Sequence, residues 1–235
     1  MLAIKNPIEH VDSFAHLGHI ITNQLTDDAA ILNRRNDFVG QSNNVLCFFS
    51  KLNSLVQNKL FRSYCTSFYG CELWGLSNRN LESFCVAWRK SLRRIWKLPQ
   101  HTHCYLLPIV SQCLPIFDEF CRRSLNFVQS CYLSESPLIR FIAQYGVLYA
   151  RGFSFLGQNV LFCTQWYKCS LRELLYGSVD EVINSFVFKS TDELMFSSAN
   201  LLLELLMVRD GMFEFPSEMF ARDELQCMIE HICTC

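Results

Sequence analysis

The chain reads as mainly α-helical, a helical bundle with a small β-hairpin near its N-terminus. Three observations carry that reading. Residues Leu81 to Pro99 place Leu81, Phe84, Cys85, Trp88, Leu92, Ile95 and Trp96 at steps of three and four, the period of a helix. Phe117 to Cys131 repeats the pattern with Phe117, Phe120, Cys121, Ser124, Phe127, Val128 and Cys131 on one face. Only Val11–Leu25 has the short, glycine-interrupted apolar alternation of a hairpin, with Gly18 permitting the bend.

Taken in order, Thr26-Asp27-Asp28 offers an N-cap and first-turn acids to a helix running from Ala29 to about Leu55, with Gly40 as a weak point. Asn58 to Leu73 is the next apolar segment, closed by the Gly70, Gly75, Ser77 and Asn78 cluster. The helix from about Asn80 follows, stopped by Pro99. A turn-rich link then leads past Pro108 and Pro115 to the Phe117–Cys131 helix, where Asp118 and Glu119 stand four residues before Arg122 and Arg123. Pro137 opens a helix to about Tyr145, and Gly146–Gly157 reads as irregular. Leu171–Tyr176 and Ser190–Val208 are helical again, and no internal repeat is visible.

The 235 residues suit one domain or two small ones, and an apolar content of 50% excludes a disordered tail. No apolar run has the roughly 18 to 20 residues of a membrane span, and no secretory signal opens the chain, so an intracellular protein of nucleus or cytoplasm is expected. The cysteines number 13, an odd count, and read as reduced, mostly buried thiols. Charge is segregated. Residues 34–123 hold thirteen Lys and Arg against five Asp and Glu, whereas 1–33 and 124–235 are both acidic. A basic middle between acidic ends points to an anionic partner for the middle alone.

In this order, several segments resemble the C-terminal part of a non-LTR (LINE-type) retrotransposon reverse transcriptase. Phe14-Ala15-His16-Leu17-Gly18-His19-Ile20-Ile21 is similar to the family's F-x-Y-L-G-x-x-I, with His16 where an aromatic is usual. Ile31–Leu55, with Arg34 and Arg35, resembles the helix beyond it. Lys59–Tyr64 and Phe68–Trp74 resemble the segment ending in Y-G-x-E-x-W. Leu81-Glu82 and then Trp88–Pro99 resemble the basic segment with L-R-x-I-x-x-L-P, and Arg122–Phe127 resembles the helix after it. The likeness covers about residues 11–135 and extends loosely to 177. It implies a palm remnant with the hairpin over 1–28, a helical thumb-like region over 29–98, a helical downstream region over 99–177 and an acidic helical C-terminal region over 178–235.

The same resemblance implies binding to an RNA/DNA template–primer duplex, with the chemistry left to a missing palm and fingers. The parent polymerase would use Mg2+ held by an aromatic-x-Asp-Asp turn. No such turn is present, and Asp27-Asp28 reads as helix capping, so the chain is expected to hold no catalytic residue and no cofactor of its own. Duplex contact is expected from Arg89, Lys90, Arg93, Arg94 and Lys97, spaced along the face opposite the apolar stripe, and next from Arg34, Arg35, Lys51, Lys59 and Arg62. Arg122 and Arg123 are expected to pair with Asp118 and Glu119, and Trp74, Trp88, Trp96, Trp166 and Tyr69 to lie in the core. His101, His103, Cys104, Cys113 and Cys121, and the terminal His231, Cys233 and Cys235, lack the paired spacing of structural zinc ligands. Two alternatives stay open: a helical protein-interaction module, or a decayed remnant without stable function. Apolar surface left by an absent palm would favour self-association.

Overall fold

The computed structural model describes residues 11–16, 19–104 and 106–195. Two strands, β1 (Ser13–His16) and β2 (His19–Thr22), pair antiparallel with Phe14 opposite Ile21 and His16 opposite His19. The helices follow as α1 (Asp28–Phe48), α2 (Ser54–Cys65), α3 (Asn80–Ile95), α4 (Leu106–Ser111), α5 (Ile116–Tyr132), α6 (Pro137–Leu148), α7 (Phe155–Trp166), α8 (Leu171–Tyr176) and α9 (Val179–Met195), with a 3-10 turn at Cys71–Leu73. The mainly α fold with a small N-terminal hairpin is therefore as the sequence implies. The bend at Gly18, the stretch 196–208 of the last expected helix, and His231, Cys233 and Cys235 lie outside the described residues.

One contiguous core runs from Ile31 to Val187. At its centre is α3, whose buried face carries Leu81, Phe84, Cys85, Trp88, Leu92 and Ile95. Phe84 stands 5.2 Å from Phe38 of α1, 5.5 Å from Phe68, 6.2 Å from Trp74 and 5.3 Å from Phe120 of α5, ring centre to ring centre. These rings meet mostly edge-on or tilted, the geometry their quadrupoles favour. Helices α1 and α3 lie side by side and parallel: Asp28 accepts from Asn78 and Asn80, Arg35 reaches the Ser83 carbonyl, and Arg94 reaches Asn43. On the other side α5 carries α7 antiparallel, since Ser124 meets Asn159 and Asp118 meets Tyr167. Buried Asn159 also accepts from the Leu76 N–H and donates to the Trp74 carbonyl, so one amide ties the turn before α3 to α5 and α7.

Three expectations fail for identifiable reasons. The helix expected from Ala29 to Leu55 breaks after Phe48, because Asn53 accepts from the Leu55 N–H and caps a new helix while the Gln57 amide holds the carbonyls of Phe49 and Leu52, each at 2.9 Å. Helix α3 ends ahead of Pro99. Lys97 takes φ 53° there, its N–H meets the Arg94 carbonyl and that of Leu98 meets Arg93, a Schellman stop without glycine. Gly146–Gly157 is irregular only over 149–154: α6 runs to Leu148 and α7 starts at Phe155, and Gly157 packs where a Cβ would meet the carbonyl oxygens of Gly146 and Arg151, both at 2.6 Å.

These two helical glycines give opposite expectations. Gly40 lies mid-helix with nothing near its missing Cβ, so Gly40→Ala is expected to stabilise the fold by about 0.5–1 kcal/mol. Gly157→Ala forces α6 and α7 apart and is expected to destabilise by about 1–3 kcal/mol. Urea unfolding of both variants is the check; effects of the same sign would contradict the packing.

Candidate nucleic-acid interface

Because α3 buries its apolar stripe, its cations must face outward, yet they meet different fates. Arg89 donates to Glu82 at 2.5 Å, an exposed ion pair that solvent screens. Arg93 turns back: its Nε and Nη2 donate to the Thr102 carbonyl at 3.2 and 2.6 Å, pinning the link after α3. Arg94 is exposed and donates to the Asn43 amide oxygen at 2.8 Å. Lys90 and Lys97 are exposed and have no ion pair among the described residues. Lys90 and Arg94 are one turn apart on the same line, and Lys97 stands at the exit of that turn, so these three form the open part of the stripe.

The second group scatters. Arg34 pairs with Asp37 at 3.7 Å. Arg35 is half-buried and donates to the Ser83 carbonyl. Lys51 is exposed in the turn between α1 and α2. Lys59 and Arg62 of α2 are exposed too, and they line a groove of about 700 Å³ with Thr66, Gln112, Arg122 and Arg123. Trp88, on the buried side of α3, also borders this groove. Lys90 lies about 200° around the helix from Trp88, so the groove and the α3 stripe are separate positive surfaces.

Arg122 and Arg123 do not divide between two carboxylates as expected. Both converge on Glu119: Arg122 grips it with two donors at 2.8 Å each, and Arg123 adds one at 2.7 Å. Burial alone would raise the Glu119 carboxyl, but hydrogen bonds and charge from the two arginines outweigh it and hold it below the usual carboxylate range. Arg122 also reaches Asp180 at 3.5 Å, while Arg123 donates to the Thr66 carbonyl and lies over the Phe68 ring. The other acid of this quartet points inward. Asp118 is buried and accepts from the Tyr167 hydroxyl at 2.8 Å. Desolvation pushes its pKa up to about 6, against hydrogen bonds that favour the charge, and the same burial drives the Tyr167 phenol far up. The signal was available: position 118 is three residues before the buried Cys121, on the inner face of α5.

Other expectations are corrected here. Asp27 stands at the N-cap of α1 and Asp28 in its first turn, as expected, but Asp27 makes no side-chain cap: it accepts from the Gly75 N–H at 2.8 Å and Asp28 from two asparagine amides, so the pair clamps the turn before α3. Trp74, Trp88 and Trp96 are core residues, but Trp166 is 47% and Tyr69 57% exposed. Trp166 stacks on Phe162 and meets Phe117 edge-on at the end of α7, and Tyr69 sits in the turn that Gly70 closes at φ 86°. Among the described residues, no three His, Cys, Asp or Glu side chains converge as metal ligands, and the ten cysteines are free thiols. No described helix is long and apolar enough to cross a membrane. Comparison with family models, curated proteins and solved structures finds no match.

The Asp118 site generates a pH signature. Its folded pKa of about 6 lies above the ordinary 3.8, so the fold favours the protonated form. That stability is complete below pH 3.8 and is lost as pH rises through about 6. Asp118→Asn keeps an acceptor for Tyr167 and cannot ionise. Its stability relative to the parent chain is expected to improve between about pH 4 and 7 by on the order of 2 kcal/mol. Denaturant midpoints across that range test this; a pH-independent difference would contradict it.

Proposed function

We propose that this chain is a non-catalytic nucleic-acid-binding helical unit of the non-LTR reverse-transcriptase type, holding the backbone of an RNA/DNA template–primer duplex. The reading rests on the ordered motifs from Phe14 to Phe127, which culminate in the basic helix α3. The observation that carries it is the stripe of Lys90, Arg94 and Lys97, cations left facing solvent without an acidic partner by a helix whose other face is largely apolar. Phosphate oxygens are suited to such a stripe, because each neutralised phosphate releases counterions whatever the base sequence. The groove holding Lys59 and Arg62 gives a second place where a strand's charge is accommodated, flanked by arginines that Glu119 keeps fixed. The palm and fingers of such a polymerase are the natural protein partners, and Mg2+ chemistry belongs to them.

Binding of a labelled RNA–DNA hybrid, followed by anisotropy across a salt series, is the test. The parent chain is expected to bind independently of sequence and to weaken steeply with salt. The triple variant Lys90→Glu, Arg94→Glu, Lys97→Glu is expected to lose at least about tenfold in affinity and to flatten the log–log salt slope by about two to three. The exposed control Lys168→Glu is expected to change little. A triple variant within twofold of the parent would overturn the reading and favour a protein-docking role for the basic face.

A further inference from the structure

Helix α6 buries only Ala143, Gly146 and Val147, which face α5 and α7. Its opposite side leaves Leu138, Phe141, Ile142, Tyr145, Leu148 and the following Tyr149 between 47% and 79% exposed. Leu138, Phe141, Tyr145 and Leu148 are spaced three, four and three apart, the a and d positions of a coiled-coil seam, with Ile142 and Tyr149 widening it. Phe141, Tyr145 and Tyr149 stack into a ridge with ring centres 6.3 and 5.8 Å apart. The single charge on the helix, Arg140, stands off this seam and donates to the Ser134 carbonyl.

We infer that this seam is the interface of a homodimer, formed by α6 of two copies related by a two-fold axis. A seam without charge packs on itself free of like-charge repulsion, as an isologous contact requires. The six side chains leave on the order of 800 Å² exposed, comparable with the roughly 800 Å² each partner contributes to a standard-sized interface. A solitary apolar patch of that size on a monomer is unusual. The inference is independent of nucleic-acid binding, since α6 carries none of the cations invoked for it.

Sedimentation of the full chain over about 1–100 µM reads the association directly. The parent is expected to pass from monomer to dimer within that range, and Phe141→Glu, Tyr145→Glu to stay monomeric throughout with an unchanged circular dichroism spectrum and, at concentrations where the parent is monomeric, the same melting curve. Tyr64→Glu, an equally exposed aromatic on α2, is expected to dimerise like the parent. A parent that is monomeric at every concentration would overturn the proposal and assign the seam to the chain's own residues 196–235 or to another protein. Dimerisation of the α6 variant, or its loss in Tyr64→Glu, would overturn it as well.

Discussion

The packing of Phe84 is the constraint on which the remaining architecture depends. A single ring on α3 touches aromatic rings from α1, from the turn after α2, from the segment closing the 3-10 turn and from α5. Each such pair contributes about 0.5–1.5 kcal/mol beyond the apolar area it buries. Removing any partner would leave a cavity that four elements cannot all close. Phe84 therefore sets the rotation of α3 about its own axis. Once that rotation is set, the side of the helix carrying Lys90 and Arg94 has nowhere to go but outward.

That rotation also sorts the basic residues by chemistry. Several arginines near the core turn their multiple donors onto backbone carbonyls: Arg93 on Thr102, Arg35 on Ser83 and Arg123 on Thr66. A guanidinium can satisfy a buried carbonyl and keep its charge, because it is weakly hydrated and rigid. The lysines at 59, 90 and 97 are strongly hydrated point charges and remain in solvent without ion pairs among the described residues. A count of cations by segment treats both kinds alike, so the basic excess of residues 34–123 overstates the charge available to a partner.

Periodicity made α3 and α5 readable, because a long apolar stripe at three- and four-residue steps fits a helix with one buried face and little else. It misread 49–53, where Leu52 continues the spacing yet is exposed, and where the stop comes from the Asn53 and Gln57 side chains. Helix α7 escaped notice altogether. Its glycine signals close packing against the backbone of Gly146 and Arg151, whereas glycine in a sequence first suggests a turn. Helix stops at Lys97, Gln112 and Lys168 use the left-handed conformation without glycine, at φ 53°, 51° and 52°, so composition carried no sign of them. At the candidate interface the α3 stripe was foreseen as a set, but its division into open and engaged cations depends on a tertiary partner of Arg93, the Thr102 carbonyl, that sequence spacing does not reveal. The groove joining α2 to α5 was likewise beyond reach, since Lys59 and Arg123 meet only through the fold.

The account stands on the claim that the lysines left in solvent by this packing are the ones that meet a polyanion. Lysine footprinting with an amine-reactive acetylating reagent, with and without an RNA–DNA hybrid, measures that residue by residue. Protection is expected at Lys90 and Lys97, and more weakly at Lys59, with Lys168 modified equally in both states. Uniform modification of all four lysines with hybrid bound, or protection of Lys168 alone, would contradict it.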